Sequence, residues 1–205
     1  FLGKDFHISR SENSFIRYQD DLGQLILPEP NILGDHQIYN IATSIAASRK
    51  IFQVKDKNIK KGIQNISMKG RLQELQSGKL KELAGKNRLI CDGGHNVSSS
   101  YVIAKWIKSQ NQEVNLISGM MKDKEHEEFM KSFKGLVKSV TLIDIPGEIN
   151  TLAKEDFRNK IKNLNFDIQI SKNIKESIKF YSSKQNTIIL IVGSLYLVGE
   201  VLNQN

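Results

Sequence analysis

From Asn87 onward the chain alternates short, β-branched apolar runs with segments of helical period, and that rhythm leaves few folds open. The apolar runs fall at residues 88–91, 114–118, 140–144, 167–170 and 187–192. Helix-period stretches occupy 98–109, 126–133, 154–164, 172–182 and 195–202. Strands separated by helical segments of about 10–15 residues are the mark of βαβ units. A parallel pair needs such a crossover, and a strand apolar on both sides must be covered on both faces. The expected fold class is α/β, with a Rossmann-like, mostly parallel sheet over residues 67–205. A loop carrying Gly70 and Gly78 is expected to lead into the sheet.

The first third has a different grammar. Phe6-His7-Ile8, Phe15-Ile16-Arg17-Tyr18 and Leu25-Ile26-Leu27 alternate in polarity and predict two or three antiparallel strands, stopped by Pro28 and Pro30. From Asp35, a plausible N-cap, Ile38, Ile41, Ala42, Ile45, Ala46 and Arg49 recur at the spacing of one helix face. A more polar helix is expected over 57–66. Residues 1–66 therefore predict a separate, partial unit.

Several classes of protein are argued against. The longest apolar stretch, 188–198, is interrupted by Gly193 and Ser194, well short of the roughly 20 residues a spanning helix needs. No apolar signal region follows Phe1, so a cytoplasmic location without membrane attachment is expected. The lone Cys91, among apolar neighbours, predicts a buried strand thiol in a reducing compartment. Thirty basic against 22 acidic residues give a net charge of +8, which permits anionic partners. The lysines are spread without aromatic clustering or zinc-finger spacing, so they predict solvated helix faces and argue against nucleic acid. Walker A and G-x-G-x-x-G spacings are absent, and His7, His36, His95 and His126 lack metal-ligand spacing.

The densest polar cluster is Asp92-Gly93-Gly94-His95-Asn96, between a strand and a helix. Ligands of open α/β sheets bind outside the carboxyl ends of the strands, where Asp92 would offer an acceptor to hydroxyl groups and the helix N-terminus would favour an anion. The same residues also suit plain turn and helix capping, with His95 bonded to backbone. Arg71, beside Gly70, has the planar fork that grips phosphates. Lys122-Asp123-Lys124 and Gly193-Ser194 follow later strands at the same edge, as crevice residues or as solvated loop and turn.

Taken together these segments resemble one family. Gly34-Asp35-His36-Gln37-Ile38-Tyr39-Asn40-Ile41-Ala42 resembles the G-x-H-Q-x-x-N-A-A segment of folylpolyglutamate synthase and the bifunctional dihydrofolate synthase, members of the Mur ligase superfamily. Gly70-Arg71-Leu72-Gln73 is similar to their W-P-G-R-[LF]-[EQ], residues 92–96 to D-G-A-H-N, 119–124 to G-x-x-x-D-K, and 193–201 to G-S-L-[YF]-L-[VA]-G-E-V. All five motifs stand in family order. Departures are Gly94 for the usual Ala, Val97 for Pro, and Met68-Lys69 where Trp-Pro precedes Gly-Arg.

The resemblance implies residues 1–66 as the C-terminal part of the central ATP-binding domain and 67–205 as the C-terminal Rossmann-like domain. It implies a ligase that uses ATP and Mg²⁺ to join L-glutamate to folate or dihydropteroate through an acyl phosphate, monomeric when intact. Asn40 matches the residue near adenine, Arg71 the arginine approaching the nucleotide, and Asp92 the aspartate near ribose. His95, Asn96, Lys122, Asp123 and Ser194 match cleft or glutamate-side positions. The family's P-loop and Mg²⁺ ligands lie N-terminal to this sequence, so this polypeptide alone is expected to bind ATP weakly and to show no turnover, with no catalytic residue of its own. A peptidoglycan-precursor ligase fragment and a non-catalytic nucleotide-binding remnant completed by a partner chain are the alternatives.

Overall fold

The computed structural model describes residues 1–11, 15–30 and 36–205. The chain divides into two units, Phe1–Met68 and Lys69–Asn205. In the first, β1 (Phe6–Arg10), β2 (Phe15–Asp20) and β3 (Gly23–Pro28) form an antiparallel sheet in sequential order. Their alternation puts Phe6, Ile16, Tyr18, Leu25 and Leu27 on one face. That face is covered by Ile38, Ile41, Ala42 and Ile45 of α1 (His36–Phe52) and by Ile59 and Ile63 of α2 (Asp56–Gln64). The expected cap Asp35 lies outside the described residues, as does Gly34.

The second unit is a six-stranded sheet built from β4 (Gln73–Leu75), β5 (Arg88–Asp92), β6 (Val114–Ser118), β7 (Ser139–Leu142), β8 (Ile168–Ile170) and β9 (Ile188–Val192). The strand order is β4-β5-β9-β6-β7-β8, with all neighbours parallel except the antiparallel edge strand β4. α4 (Val97–Lys108), α5 (His126–Lys131) and α6 (Lys154–Ile161) cover one face through residues such as Ile103, Phe129 and Phe157. α3 (Lys79–Ala84), α7 (Ile174–Lys179) and α8 (Leu195–Gln204) cover the other through Leu80, Ile178 and Val198. The partition follows from handedness. Right-handed crossovers stepping from β5 to β8 lay α4, α5 and α6 on one side, and the return to β9 lays α7 on the other. Along β9 the faces alternate, with Ile188, Leu190 and Val192 toward α4–α6 and Ile189 and Ile191 toward the opposite core.

Three expectations need correction. Where a loop was expected around Gly70 and Gly78, β4 pairs with β5 and α3 follows. β4 has only three residues, too few to show a period, and α3 buries only Leu80 and Ala84. The strand expected over 140–144 ends at Leu142, because Asp144 turns to accept the Lys154 N–H at 2.8 Å and pair with its Nζ at 2.7 Å. The helix expected from 172 begins at Ile174: Asn173 Oδ1 caps it by accepting the Glu176 N–H, while Glu176 accepts the Lys172 N–H and the Ser171 hydroxyl. No helix among the described residues is long and apolar enough to cross a membrane.

Candidate functional site

β9 lies beside β5, and the chain leaves these two neighbouring strands toward opposite faces of the sheet: from β5 into α4 on one, from β9 into α8 on the other. Such a reversal opens a crevice at the strand carboxyl ends. Three loops meet there, 93–96 after β5, 193–194 after β9 and 119–125 after β6. Gly193 N–H donates to Gly94 O at 3.0 Å and Gly119 N–H to Val192 O at 3.4 Å. The approach is close enough to demand glycine at 193: its φ is +111°, and an added Cβ would lie 2.7 Å from Gly119 O.

A fourth segment, Gly70-Arg71-Leu72, is drawn onto the first loop. Gly70 O accepts the Gly93 N–H at 2.8 Å, and Gly70 N–H donates to Gln73 Oε1 at 2.8 Å. Leu72 N–H donates to Asp92 Oδ2 at 2.8 Å, and Gly94 N–H donates to Asp92 Oδ1 at 2.7 Å. Asp92 is only 6% exposed, and each carboxylate oxygen holds a different loop. Leu72 is held at φ 43°, a left-handed conformation that costs a non-glycine residue about 1–2 kcal/mol. Nothing in the local sequence announces this strain; the hydrogen bond to Asp92, twenty residues away, sustains it. Between the two pinned residues sits half-buried Arg71, whose guanidinium has no hydrogen-bond or ion-pair partner among the described residues.

His95 is half-buried, with Nδ1 2.9 Å from Gly93 O. A carbonyl only accepts, so Nδ1 carries the proton and Nε2 is the ring's free nitrogen. Asn96 and Ser194 are committed to capping. Asn96 Oδ1 accepts the Ser99 N–H at 2.9 Å within a capping box on α4, and Ser194 Oγ accepts the Tyr196 N–H at 3.1 Å on α8. Both helices therefore present ordered N-termini to the crevice loops, where a helix dipole favours negative charge. Lys122 is exposed and Asp123 pairs with Lys124 at 2.8 Å. Asn40 belongs to the other unit, exposed on α1, where its Nδ2 donates to Gln37 Oε1 at 3.2 Å.

The crevice thus combines a free guanidinium, an exposed ammonium group and two helix N-termini, which is the chemistry of anion binding rather than of nucleophilic attack. Cys91 is fully buried and its thiol is pushed up to about 12 by burial, with the Asp92 charge adding to the effect. Such a thiol is inert at neutral pH. Among the described residues no group of three His, Cys, Asp or Glu could hold a metal ion.

The sequence pattern missed His126. Buried at 4% exposure, its Nε2–H donates to Met121 O at 2.9 Å and its ring meets Phe157 edge-on at 5.6 Å, fixing the base of the Lys122 loop. Burial holds its imidazole below the ordinary 6.5, the hydrogen bond to Met121 opposing only in part. The unfolded chain therefore takes the proton first as pH falls, so this contribution to stability is full above the ordinary value and is lost toward the lowered one. Urea midpoints should drop between about pH 7 and pH 5. His126→Gln, which keeps an N–H donor but cannot titrate, should flatten that slope; equal slopes in both proteins would exclude His126 as the origin.

Comparison with known proteins converges on one family. The family model for the C-terminal domain of dihydrofolate synthetase matches residues 76–204. A probable dihydrofolate synthetase of Schizosaccharomyces pombe is 24% identical over 182 residues, covering 82% of this chain and 42% of the relative. A dihydrofolate synthase/folylpolyglutamate synthase of Haemophilus influenzae is 22% identical over 179 residues, covering 78% and 40%. The chain thus spans about two-fifths of the length of the curated relatives it matches. Among solved structures, E. coli FolC in complex with DHPP and ADP superposes with a TM-score of 0.80 at 20% identity, over 98% of this chain and 46% of that one. Mycobacterium tuberculosis folylpolyglutamate synthase with ADP and AMPPCP gives 0.84 at 16% identity, over 98% and 48%. The likeness to solved structures establishes the fold, and the family match, which runs through most of the larger unit and takes in the Asp92 and Ser194 loops, establishes the lineage: the chain belongs to the dihydrofolate synthetase C-terminal-domain family.

Proposed function

We propose that the protein carrying this chain is an ATP-dependent ligase that adds L-glutamate to folates or dihydropteroate in the cytoplasm, acting as a monomer. The observation that carries the reading is the family match over 76–204. It is supported by relatives that bear synthase names and by neighbours solved with ADP, with AMPPCP, and with AMPPNP and a manganese ion. In the proposed reaction a substrate carboxylate oxygen attacks the γ-phosphorus of ATP, releasing ADP and leaving an acyl phosphate. The glutamate amine then attacks the acyl carbon, forming the amide, and phosphate leaves. Excluding water protects the acyl phosphate, since hydrolysis would waste it.

Residues 1–66 are assigned to the central ATP-binding domain and 67–205 to the C-terminal domain. Arg71 is the cation that meets the nucleotide phosphates, Asn40 belongs to the adenine side and Asp92 to the same nucleotide site. His95, Asn96, Lys122, Asp123 and Ser194 are assigned to the cleft and glutamate side, Asn96 and Ser194 by ordering helix N-termini, since their side chains are used as caps. The Mg²⁺ ligands are assigned, with the P-loop, to the family's segment N-terminal to this sequence, so no step is assigned to a metal on these residues.

The test is incorporation of labelled L-glutamate by the intact endogenous protein, with dihydropteroate, folate monoglutamate and a UDP-muramyl peptide as parallel acceptors. Pterin acceptors are expected to gain glutamate with one ADP released per bond. Incorporation into the muramyl acceptor alone would overturn the folate assignment, and the absence of both ADP release and incorporation with all three would leave a non-catalytic protein. Arg71→Ala should raise KM for ATP by roughly tenfold to a hundredfold, the worth of a charge-assisted hydrogen bond. Arg71→Lys should recover only part, because a lysine lacks the fork.

A further inference from the structure

We infer that Gln73 is a positioning residue for Arg71, acting through the turn that presents the guanidinium. The inference takes its ligand from the nucleotide reading above, while its geometry stands without that reading. Gly70 is buried, and its N–H donates to Gln73 Oε1 at 2.8 Å. An N–H meets only an acceptor, so the side-chain carbonyl makes this bond and the amide nitrogen Nε2 is left over. The bond reaches from residue 73 back to residue 70 and closes a ring around Arg71 and Leu72. That ring needs closing, because the local sequence does not favour its backbone: Gly70 stands at φ 70° and Leu72 at φ 43°, angles that only glycine adopts without cost. Two further ties come from the loop after β5, Gly93 N–H to Gly70 O and Leu72 N–H to Asp92 Oδ2, each at 2.8 Å. Asp92 belongs to the nucleotide site itself, so a change there mixes the turn with the ligand. Gln73 carries the turn alone: it opens β4, its backbone fixed opposite Cys91 of β5, and its side chain turns back to hold the residue on the other side of Arg71. A buried Gly70 N–H deprived of that oxygen has to find another acceptor, which the turn supplies only by changing shape.

NMR on the 205-residue chain, with ADP and tripolyphosphate as probes, would compare wild type, Gln73→Met, Gln73→Glu, Arg71→Ala and the variant combining Gln73→Met with Arg71→Ala. Methionine keeps the length of the side chain without its acceptor, and β4 is an edge strand, so the sheet should hold, with protected Leu190 and Ile191 amides as the check. In Gln73→Met the Gly70 N–H should exchange faster, and the order parameter of the Arg71 amide should fall from about 0.85 toward about 0.6. Both probes should bind more weakly by the same factor, on the order of tenfold, and the substitution should cost nothing further once Arg71 is Ala. Gln73→Glu keeps an accepting oxygen and should return Gly70 protection and Arg71 order to wild-type levels. Additive losses in the combined variant would overturn the inference in favour of direct contact between Nε2 and the ligand. An Arg71 amide as rigid in Gln73→Met as in wild type would refute positioning outright. If wild type binds neither probe, the nucleotide reading falls, and order parameters alone decide the clamp: Arg71 order lost in Gln73→Met and restored in Gln73→Glu upholds it, and unchanged order removes it.

Discussion

Asn87→Ala should lower the stability of the Lys69–Asn205 unit by roughly 3–5 kcal/mol, a large fraction of the 5–15 kcal/mol typical of a domain. Asn87 is 1% exposed and stands where three segments meet. Its Nδ2 donates to the carbonyls of Ala84, Tyr181 and Lys184 at 2.9–3.0 Å, and its Oδ1 accepts from Thr187 N–H at 3.1 Å and Thr187 Oγ1 at 3.0 Å. One amide thus ties the end of α3, the segment after α7 and the start of β9. Alanine would orphan these groups together, each costing about 1–3 kcal/mol, reduced by whatever water enters the void. Asn87→Asp should do no better at neutral pH, because it sets a carboxylate against three carbonyl oxygens. Trp106, the chain's one tryptophan, packs against this unit's core and reports its unfolding in urea. A loss below about 1 kcal/mol would show that the amide is not a keystone.

Asn87 also shows where sequence legibility ends. It marks the onset of the βαβ rhythm, yet nothing nearby shows that its partners other than Ala84 lie about a hundred residues away. The parallel strands were readable because both faces are buried: Ile188-Ile189-Leu190-Ile191-Val192 admits few other readings. β4 and α3 were not, since their stability comes from remote groups. β4 exists by pairing with β5, and α3 begins where Lys79 N–H and Lys81 N–H donate to the backbone and side chain of Asn205, 124 residues beyond Lys81. Propensity over three to six residues cannot register such partners.

The candidate site divides along the same line. Polar and glycine residues at strand ends are a local signal: residues 92–96 and 193–194 were singled out by it, and Lys122-Asp123-Lys124 by its mixed charge after a strand. The backbone consequences were not local. The Asp92 motif is visible as a hydroxyl acceptor, but its engagement with Leu72 depends on a turn that folds back over β5. Asn96 and Ser194 read equally well as site residues or caps, and their side chains cap. The helix that His126 begins was legible from its period, but the role of the imidazole was not, since its partner carbonyl belongs to the preceding loop.

One non-local feature did leave a trace, since Arg49 falls on the apolar stripe of α1, where a solvated cation has no place. In the folded unit it is 8% exposed and bonds Asp20 Oδ1 at 2.7 Å, Gly23 O at 3.1 Å and Leu22 O at 3.1 Å. Asp20, whose side chain is fully buried, also accepts the Tyr18 hydroxyl at 3.0 Å and the Leu22 N–H at 2.9 Å. Burial, reinforced by the Asp20 carboxylate, pushes the Tyr18 hydroxyl well above the ordinary tyrosine value, so it remains a donor at any physiological pH. Arg49→Met would leave that carboxylate buried without a counter-charge and two carbonyls of the hairpin turn unpaired. Removing one member of a buried pair costs about 3–5 kcal/mol, which a unit this small can hardly absorb. The expected result is near-complete loss of amide protection at Ile16, Tyr18, Leu25 and Leu27, with Leu190 and Ile191 in β9 still protected. Combining Asn at 20 with Gln at 49 replaces the ion pair by a neutral amide pair and should recover more than half of the loss, because no uncompensated charge remains. The cost of Arg49→Met should also persist in 1 M salt, since buried charges are screened far less than exposed ones. Unaltered protection across β2 and β3 in Arg49→Met would mean that Arg49 merely fills space beneath the hairpin, and that its place on the stripe reflects the packing of its stem rather than its charge.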